Sequence, residues 1–287
     1  MIKKAIITAA GFGSRFLPWT KTVPKEFLPI FNKPAIHLLV EECIEANIEE
    51  VIIVTQESYI KIFSDYFFGE AKEIRDLLLQ QNKIERLNHI EEIINLSKKI
   101  KIKIVQQNES LPYGSGRPIL SVKKELEQED AFAVIFGDDL LVNNISGIGE
   151  LIKFYESVCK NEECHGAIAV QQVELNEVSK YGIVEIENGS VSRVKNLVEK
   201  PSLEKVKSNL ASYGRFILTP VIFQYLTQSL VGVNKELGLQ DANSLLIQNG
   251  YCMHATQLTG RWVTIGDPVN YVKALQEYSK LEKNKTI

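Results

Sequence analysis

A strand-like apolar run from Lys4 to Ala9 breaks at once into Ala10-Gly11-Phe12-Gly13, and this short stretch limits the possible folds more than any other. A buried strand followed by a glycine-bracketed loop is typical of open α/β sheets, where ligands gather at the carboxyl ends of the strands. Gly11 and Gly13 let the main chain approach a ligand closely and turn its N–H groups toward phosphate oxygens. Between Ala10 and Pro34 the bases are Arg15, Lys21, Lys25 and Lys33, against the single acid Glu26. The formal net charge is −3, so this is a local basic cluster on an acidic chain. It suits a triphosphate, while the molecule as a whole has no charge with which to hold nucleic acid.

Two other phosphate-binding loops do not fit. A dinucleotide fingerprint needs a third glycine and an opening helix, whereas here Gly11-x-Gly13-x-x-Phe16 runs into Pro18. No GxxxxGK[ST] motif is present. The plainer alternative is a structural turn whose basic residues only face solvent.

The rest of the first half alternates strand and helix signals. Ile36, Leu39, Val40, Cys43 and Ile44 share one helical face, and β-branched or apolar runs at 51–55, 102–105 and 132–136 read as buried strands. A helical stretch spans about 72–99 as one or two helices, and another lies near 119–126. The second half reads as strands at 167–173 and 216–219, and a hairpin of 182–187 with 190–198 around Asn188-Gly189. Helices are expected over 220–229 and 239–249, and one carries Tyr271, Ala274, Leu275, Tyr278 and Leu281. The expected fold is α/β: a Rossmann-like, doubly wound, mostly parallel sheet with helices on both faces and a mixed-sheet elaboration in the C-terminal half. With 287 residues and no linker, one domain over 1–287 is the simplest account.

Phe136-Gly137-Asp138-Asp139 ends a strand, where a carboxylate can hold a hard cation; the plainer reading as turn or cap residues suits Asp139 better than Asp138. Gln107 follows the 102–105 strand, and its amide could read a pyrimidine imide edge or simply be solvated. Four scattered cysteines without CxxC spacing argue against disulfide or zinc chemistry. The four histidines fit no catalytic arrangement. The N-terminus shows no signal-peptide core and no segment is long enough to span a bilayer, so a cytoplasmic protein with no membrane partner is expected.

The run from Gly11 through Arg15, Leu17-Pro18 and Pro24-Lys25-Glu26-Phe27-Leu28-Pro29 to Lys33-Pro34 resembles the signature of sugar-nucleotide pyrophosphorylases. Its form is most similar to the bacterial UTP–glucose-1-phosphate uridylyltransferase family, and the likeness extends from about residue 3 to 280. The resemblance implies nucleotide contacts at Ala9, Ala10, Gly11, Gly13, Ser14 and Glu26, with Gln107 and Gly114 at the base. It implies catalytic roles for Arg15, Lys25, Asp138 and Lys200, and Mg²⁺ on Asp138. The sugar would meet Gly182, Glu199, Lys200, Arg215 and Glu236, although Glu-Lys-Pro at 199–201 is also ordinary surface sequence. The nucleotide-binding half would then be about 1–145, and the sugar-binding and oligomerisation half about 146–287. UTP and glucose 1-phosphate are the implied substrates. Apolar faces near 70–99 and on the last helix imply a homodimer or homotetramer.

Three departures stand out. Gly114-Ser115-Gly116-Arg117-Pro118 replaces a GxGHA pattern and follows extra residues; 236–242 differs from EIQLTDA; and Thr264 stands where related enzymes carry a metal-binding aspartate, with Asp267 three residues on. These leave two alternatives: the same reaction with another base or sugar, such as dTTP, or a weakly active regulatory paralogue.

Overall fold

In the computed structural model, residues 2–160, 163–229 and 236–285 are described. Strand β1 (Lys4–Ala9) leads into three single 3-10 turns, Ser14–Phe16, Trp19–Lys21 and Lys25–Phe27. A small ribbon of β2 (Pro29–Ile30) and β3 (Lys33–Pro34) precedes α1 (Ala35–Glu45). Then come β4 (Glu50–Thr55), α2 (Ile60–Phe68), α3 (Lys72–Gln80), α4 (Ile84–Lys99), β5 (Lys101–Gln106), α5 (Arg117–Ser121), α6 (Lys123–Leu126) and β6 (Phe132–Phe136). The second half holds β7 (Asp139–Val142), α7 (Gly147–Val158), β8 (Gly166–Gln172), β9 (Gly182–Ile186), β10 (Val194–Glu199) and β11 (Leu210–Leu218). It ends with α8 (Ile222–Ser229), α9 (Leu239–Gln248), β12 (His254–Gln257), β13 (Arg261–Thr264) and α10 (Pro268–Lys285).

The parallel part of the main sheet has the order β5-β4-β1-β6, the strand arrangement of a mononucleotide-binding half. Alternate residues of each strand enter different cores. Ile7, Ile53 and Ile135 pack under α1, α2 and α7, while Ile6, Ile52 and Val134 pack against α5, α8 and α9. Burial on both faces explains why these strands read as unbroken apolar runs. The long β11 lies antiparallel to β6, β8 and β9 and thereby attaches the mixed C-terminal part. Among the described residues, no helix is long and apolar enough to cross a membrane.

The structure departs from expectation in places. β9 and β10 do pair antiparallel, but β10 begins at Val194 and not at residue 190. Ser190 Oγ accepts from the N–H groups of Ser192 (3.3 Å) and Arg193 (2.9 Å), drawing that backbone off the ladder. The four-residue strands β7, β12 and β13 and the helices α2 and α7 were not anticipated. Among the described residues β7 and β13 pair only with each other, and they place Thr264 opposite Asp139.

Candidate active site

The loop after β1 is held from the neighbouring strand. Thr55 Oγ1 donates to the Ala9 carbonyl (2.9 Å) and Gln56 Nε2 to that of Ala10 (3.0 Å). Gly13 adopts φ 58°, a left-handed conformation that favours glycine. Its carbonyl accepts from Thr20 Oγ1 (2.8 Å), and the Thr20 carbonyl accepts from the Tyr59 hydroxyl (2.6 Å). Ala9, Ala10, Gly11, Gly13 and Ser14 thus lie on one braced loop. Thr20, Gln56 and Tyr59, which brace it, carry no motif that would have marked them.

Lys25 reaches from the third 3-10 turn to the carboxylate of Asp138, just beyond β6. A Cβ built on Gly11 would lie 3.5 Å from Lys25 Nζ, so the ammonium sits against the glycine loop. Burial disfavours its charge, but Asp138 and Glu26 outweigh burial and raise its pKa. Burial likewise opposes ionisation of Asp138, yet Lys25 holds its carboxyl below the usual range. Glu26 is 1% exposed, and neither carboxylate oxygen has a hydrogen-bond partner among the described residues. Burial pushes its pKa up to about 7 against the pull of Lys25.

Arg15 completes this end. Its Nη1 lies 3.6 Å from Asp267 Oδ2, with the side chain 68% exposed. A Cβ on Gly266 would fall 3.3 Å from Asp138 Oδ2 and 3.7 Å from Arg15 Nη2. Arg15, Lys25, Glu26 and Asp138 therefore converge. Thr264 Oγ1 donates to the Asp138 carbonyl (3.2 Å), and Asp267 accepts from the backbone N–H of Asn270 (3.0 Å) near the start of α10. Among the described residues, no group of three or more His, Cys, Asp or Glu side chains could hold a metal ion. One ionised carboxylate still fits Mg²⁺, which takes one or two carboxylates and completes its shell with substrate phosphates.

Asp139, directly next to Asp138, is neither a turn nor a cap residue. It is buried in β7 and accepts from Trp262 Nε1 (3.0 Å) and the Gly214 N–H (2.9 Å). Burial and the charge of Asp138 push its pKa up to about 6. Arg215, expected among the sugar contacts, has a side chain 1% exposed that is committed elsewhere. It donates to both carboxylate oxygens of Glu42 (3.0 and 2.7 Å) and to the carbonyls of Asp139 (3.0 Å) and Gly214 (2.8 Å). The structure makes it a buried strut, because an always-charged group inside a core must satisfy its donors there.

At the end of β5, Gln107 is buried and its N–H donates to the Thr55 carbonyl (2.8 Å). The loop that follows bonds to the backbone of Leu237, whose N–H donates to the Tyr113 carbonyl (2.7 Å) and whose carbonyl accepts from the Gly116 N–H (2.8 Å). Gly114 lies between these bonds at φ 146°.

The sugar-side residues form a second cluster. A Cβ on Gly182 would meet Ser212 Oγ at 3.0 Å, Gln240 Nε2 at 3.1 Å and Glu199 Oε2 at 3.1 Å. Lys200 Nζ is 3.4 Å from Glu199 Oε1, and its N–H donates to the Tyr181 carbonyl (3.0 Å). Burial raises the Glu199 pKa against Lys200, with Asp241 and Glu236 adding to it. Glu236 is thus near enough to act on Glu199, while its own side chain is exposed. Ser212 and Gln240 belong to this cluster, although no spacing in the sequence announces them.

Residues 4–280 match the family described as nucleotidyl transferase. The UTP–glucose-1-phosphate uridylyltransferase of Bacillus subtilis is 36% identical over 286 residues, covering 98% of this chain and 92% of its own. A UDP-glucose pyrophosphorylase solved with UDP-glucose superimposes with a TM-score of 0.80 at 35% identity, over 98% of this chain and 99% of that one. The UTP-bound enzyme from Acinetobacter baumannii gives 0.82 at 31% identity, over 97% and 93%. Sequence similarity and backbone both run through the glycine loop, the Lys25–Asp138 pair and the sugar-side cluster, and the chain belongs to the nucleotidyl transferase family.

Proposed function

We propose that the protein transfers a uridylyl group from UTP to glucose 1-phosphate, releasing pyrophosphate and forming UDP-glucose. The observation that carries this reading is the Lys25–Asp138 pair set against the Gly11–Gly13 loop. A phosphate oxygen of glucose 1-phosphate attacks the α-phosphorus in line, and the bond from that phosphorus to the oxygen bridging the β-phosphate breaks. Such a transfer depends on positioning and charge neutralisation more than on acid–base chemistry. Lys25 and Arg15 neutralise the departing pyrophosphate, and Lys200 holds the attacking phosphate. The glycine loop from Ala9 to Ser14 cradles the triphosphate, with Glu26 at the nucleoside and Gln107 and Gly114 at the base. Gly182, Glu199 and Glu236 face the sugar. Asp138 is the residue to hold Mg²⁺, which when bound supplies positive charge against the phosphate oxygens. The nucleotide half is then about 1–145 and the sugar half about 146–287. Half-exposed Ile74, Leu77, Leu79 and Ile84 on α3 and α4 favour a homo-oligomer, and we place the protein in the cytoplasm.

Pyrophosphate release from UTP, glucose 1-phosphate and Mg²⁺ tests the assignment, run beside dTTP and other sugar 1-phosphates. Lys25→Ala and Asp138→Asn are expected to lose about 10²–10³ in turnover, the scale for removing one preorganised charge-stabilising group. Near-full turnover in both variants would overturn these roles.

A further inference from the structure

Two large aromatic side chains stand at the mouth of the nucleotide site without joining either core. Phe12 is 56% exposed and Tyr113 52% exposed. Phe12 lies between Gly11 and Gly13 on the loop after β1, and Tyr113 lies on the loop after β5, directly before Gly114. The rings face each other at an interplanar angle of 20° with centroids 6.0 Å apart. Core packing does not account for the pair, since neither ring belongs to the buried clusters or to the residues packed on them.

We infer that Phe12 and Tyr113 are positioning residues that take the nucleobase between their rings. The inference rests on the assignment of UTP as substrate and adds to it the faces of the base, where Gln107 was expected to read the edge. A flat base needs about 7 Å between two parallel rings, and these two, near-parallel with centroids 6.0 Å apart, must part to admit it. The two walls are mounted differently. Tyr113 is anchored, because its carbonyl accepts from the Leu237 N–H (2.7 Å) and Gly116 bonds back to the same residue. Phe12 is exposed on a loop held at Ala10 and Gly13, so its side chain is the part that makes the adjustment. Stacking accepts any π-face, so the pair supplies affinity while the choice of base is left to the edge.

Calorimetric titration of the full chain with UTP in Mg²⁺ buffer tests this, beside titration with inorganic tripolyphosphate, which has no base. Tyr113→Ala should weaken UTP binding by about 10–100-fold, the scale of one base–aromatic stack, and leave tripolyphosphate within twofold. Tyr113→Phe keeps the ring and should bind UTP as the parent does, and Phe12→Leu should fall between. UTP affinity within twofold of the parent in both Tyr113→Ala and Phe12→Leu overturns the inference. So does an equal loss for UTP and tripolyphosphate, which would make Tyr113 a loop brace. A parent chain that binds tripolyphosphate but not UTP overturns the substrate assignment itself, and that result is read before any variant is made.

Discussion

The two ends of the site hold their key lysines in opposite ways. Lys25 is 12% exposed, bonded to Asp138 and pressed against the glycine loop. Lys200 is 64% exposed, sits at φ 44° and has Glu199 at 3.4 Å. The first end has its charges in place in the structure itself, so a ligand there would meet a site that needs little rearrangement. The second is an exposed cation tethered only to Glu199, which any ligand there would have to gather. One physical link joins them. The Tyr181 ring meets Trp262 edge-on at 5.0 Å, Trp262 bonds Asp139, and Asp139 adjoins Asp138.

The comparison breaks most severely if the rigid end loses its backing. Arg215→Met removes the cation that faces both oxygens of Glu42 and ties the carbonyls of Asp139 and Gly214. A buried carboxylate left without its partner costs about 3–5 kcal/mol. Denaturant unfolding should show a loss of that size, partly recovered in Arg215→Met/Glu42→Leu, where the Glu42 charge is no longer stranded. A loss below about 1 kcal/mol, the scale of an exposed pair, would show the strut to be dispensable.

The same contrast governs what the sequence could disclose. The glycine loop and the bases at 15 and 25 were legible because the glycines and cations lie near one another along the chain, and the structure brings Arg15 and Lys25 together beside Asp138. The four parallel strands were legible because two buried faces demand continuous apolar runs. Asp139 and Arg215 were not, since their partners Trp262, Gly214 and Glu42 lie 123, 75 and 173 residues away. Nothing in Gly214-Arg215 distinguishes an arginine turned into the core from one facing a sugar. The ribbon of β7 and β13 was illegible because two four-residue strands carry too little periodicity to register, and it is this ribbon that sets Thr264 beside the acids.

Both ends carry a carboxyl raised by burial, Glu199 at the loose end and Glu26 at the rigid one, and Glu26 gives the sharper test. The ordinary value of the Glu26 carboxyl is 4.5, and burial pushes it up to about 7. A folded-state pKa above the unfolded one means stability that is full below about pH 4.5 and lost as pH rises through about 7. Leaving this carboxyl ionised should therefore cost up to about 3 kcal/mol at pH 8. Asp139, pushed up to about 6, titrates in the same sense. The difference between Glu26→Gln and the parent isolates Glu26: it should be small at pH 5 and grow in favour of the variant by pH 8. A difference that stays constant across that range would show that Glu26 is ionised throughout.

Lys200→Ala gives the smallest effect and the cleanest separation of the two ends. An exposed side chain contributes little to folding, so the midpoint of unfolding should correspond to a change within about 0.5 kcal/mol. Alanine meets the same left-handed backbone constraint at this position, so the strain is unchanged. If Lys200 holds the attacking phosphate, losing one charged hydrogen bond should raise KM for glucose 1-phosphate by roughly 10–100-fold. KM for UTP should stay put, because the Lys25 end is already assembled without it. Should the variant shift KM for UTP and spare the sugar phosphate, Lys200 would belong to the triphosphate and the division of the site into a fixed end and a gathered end would fail.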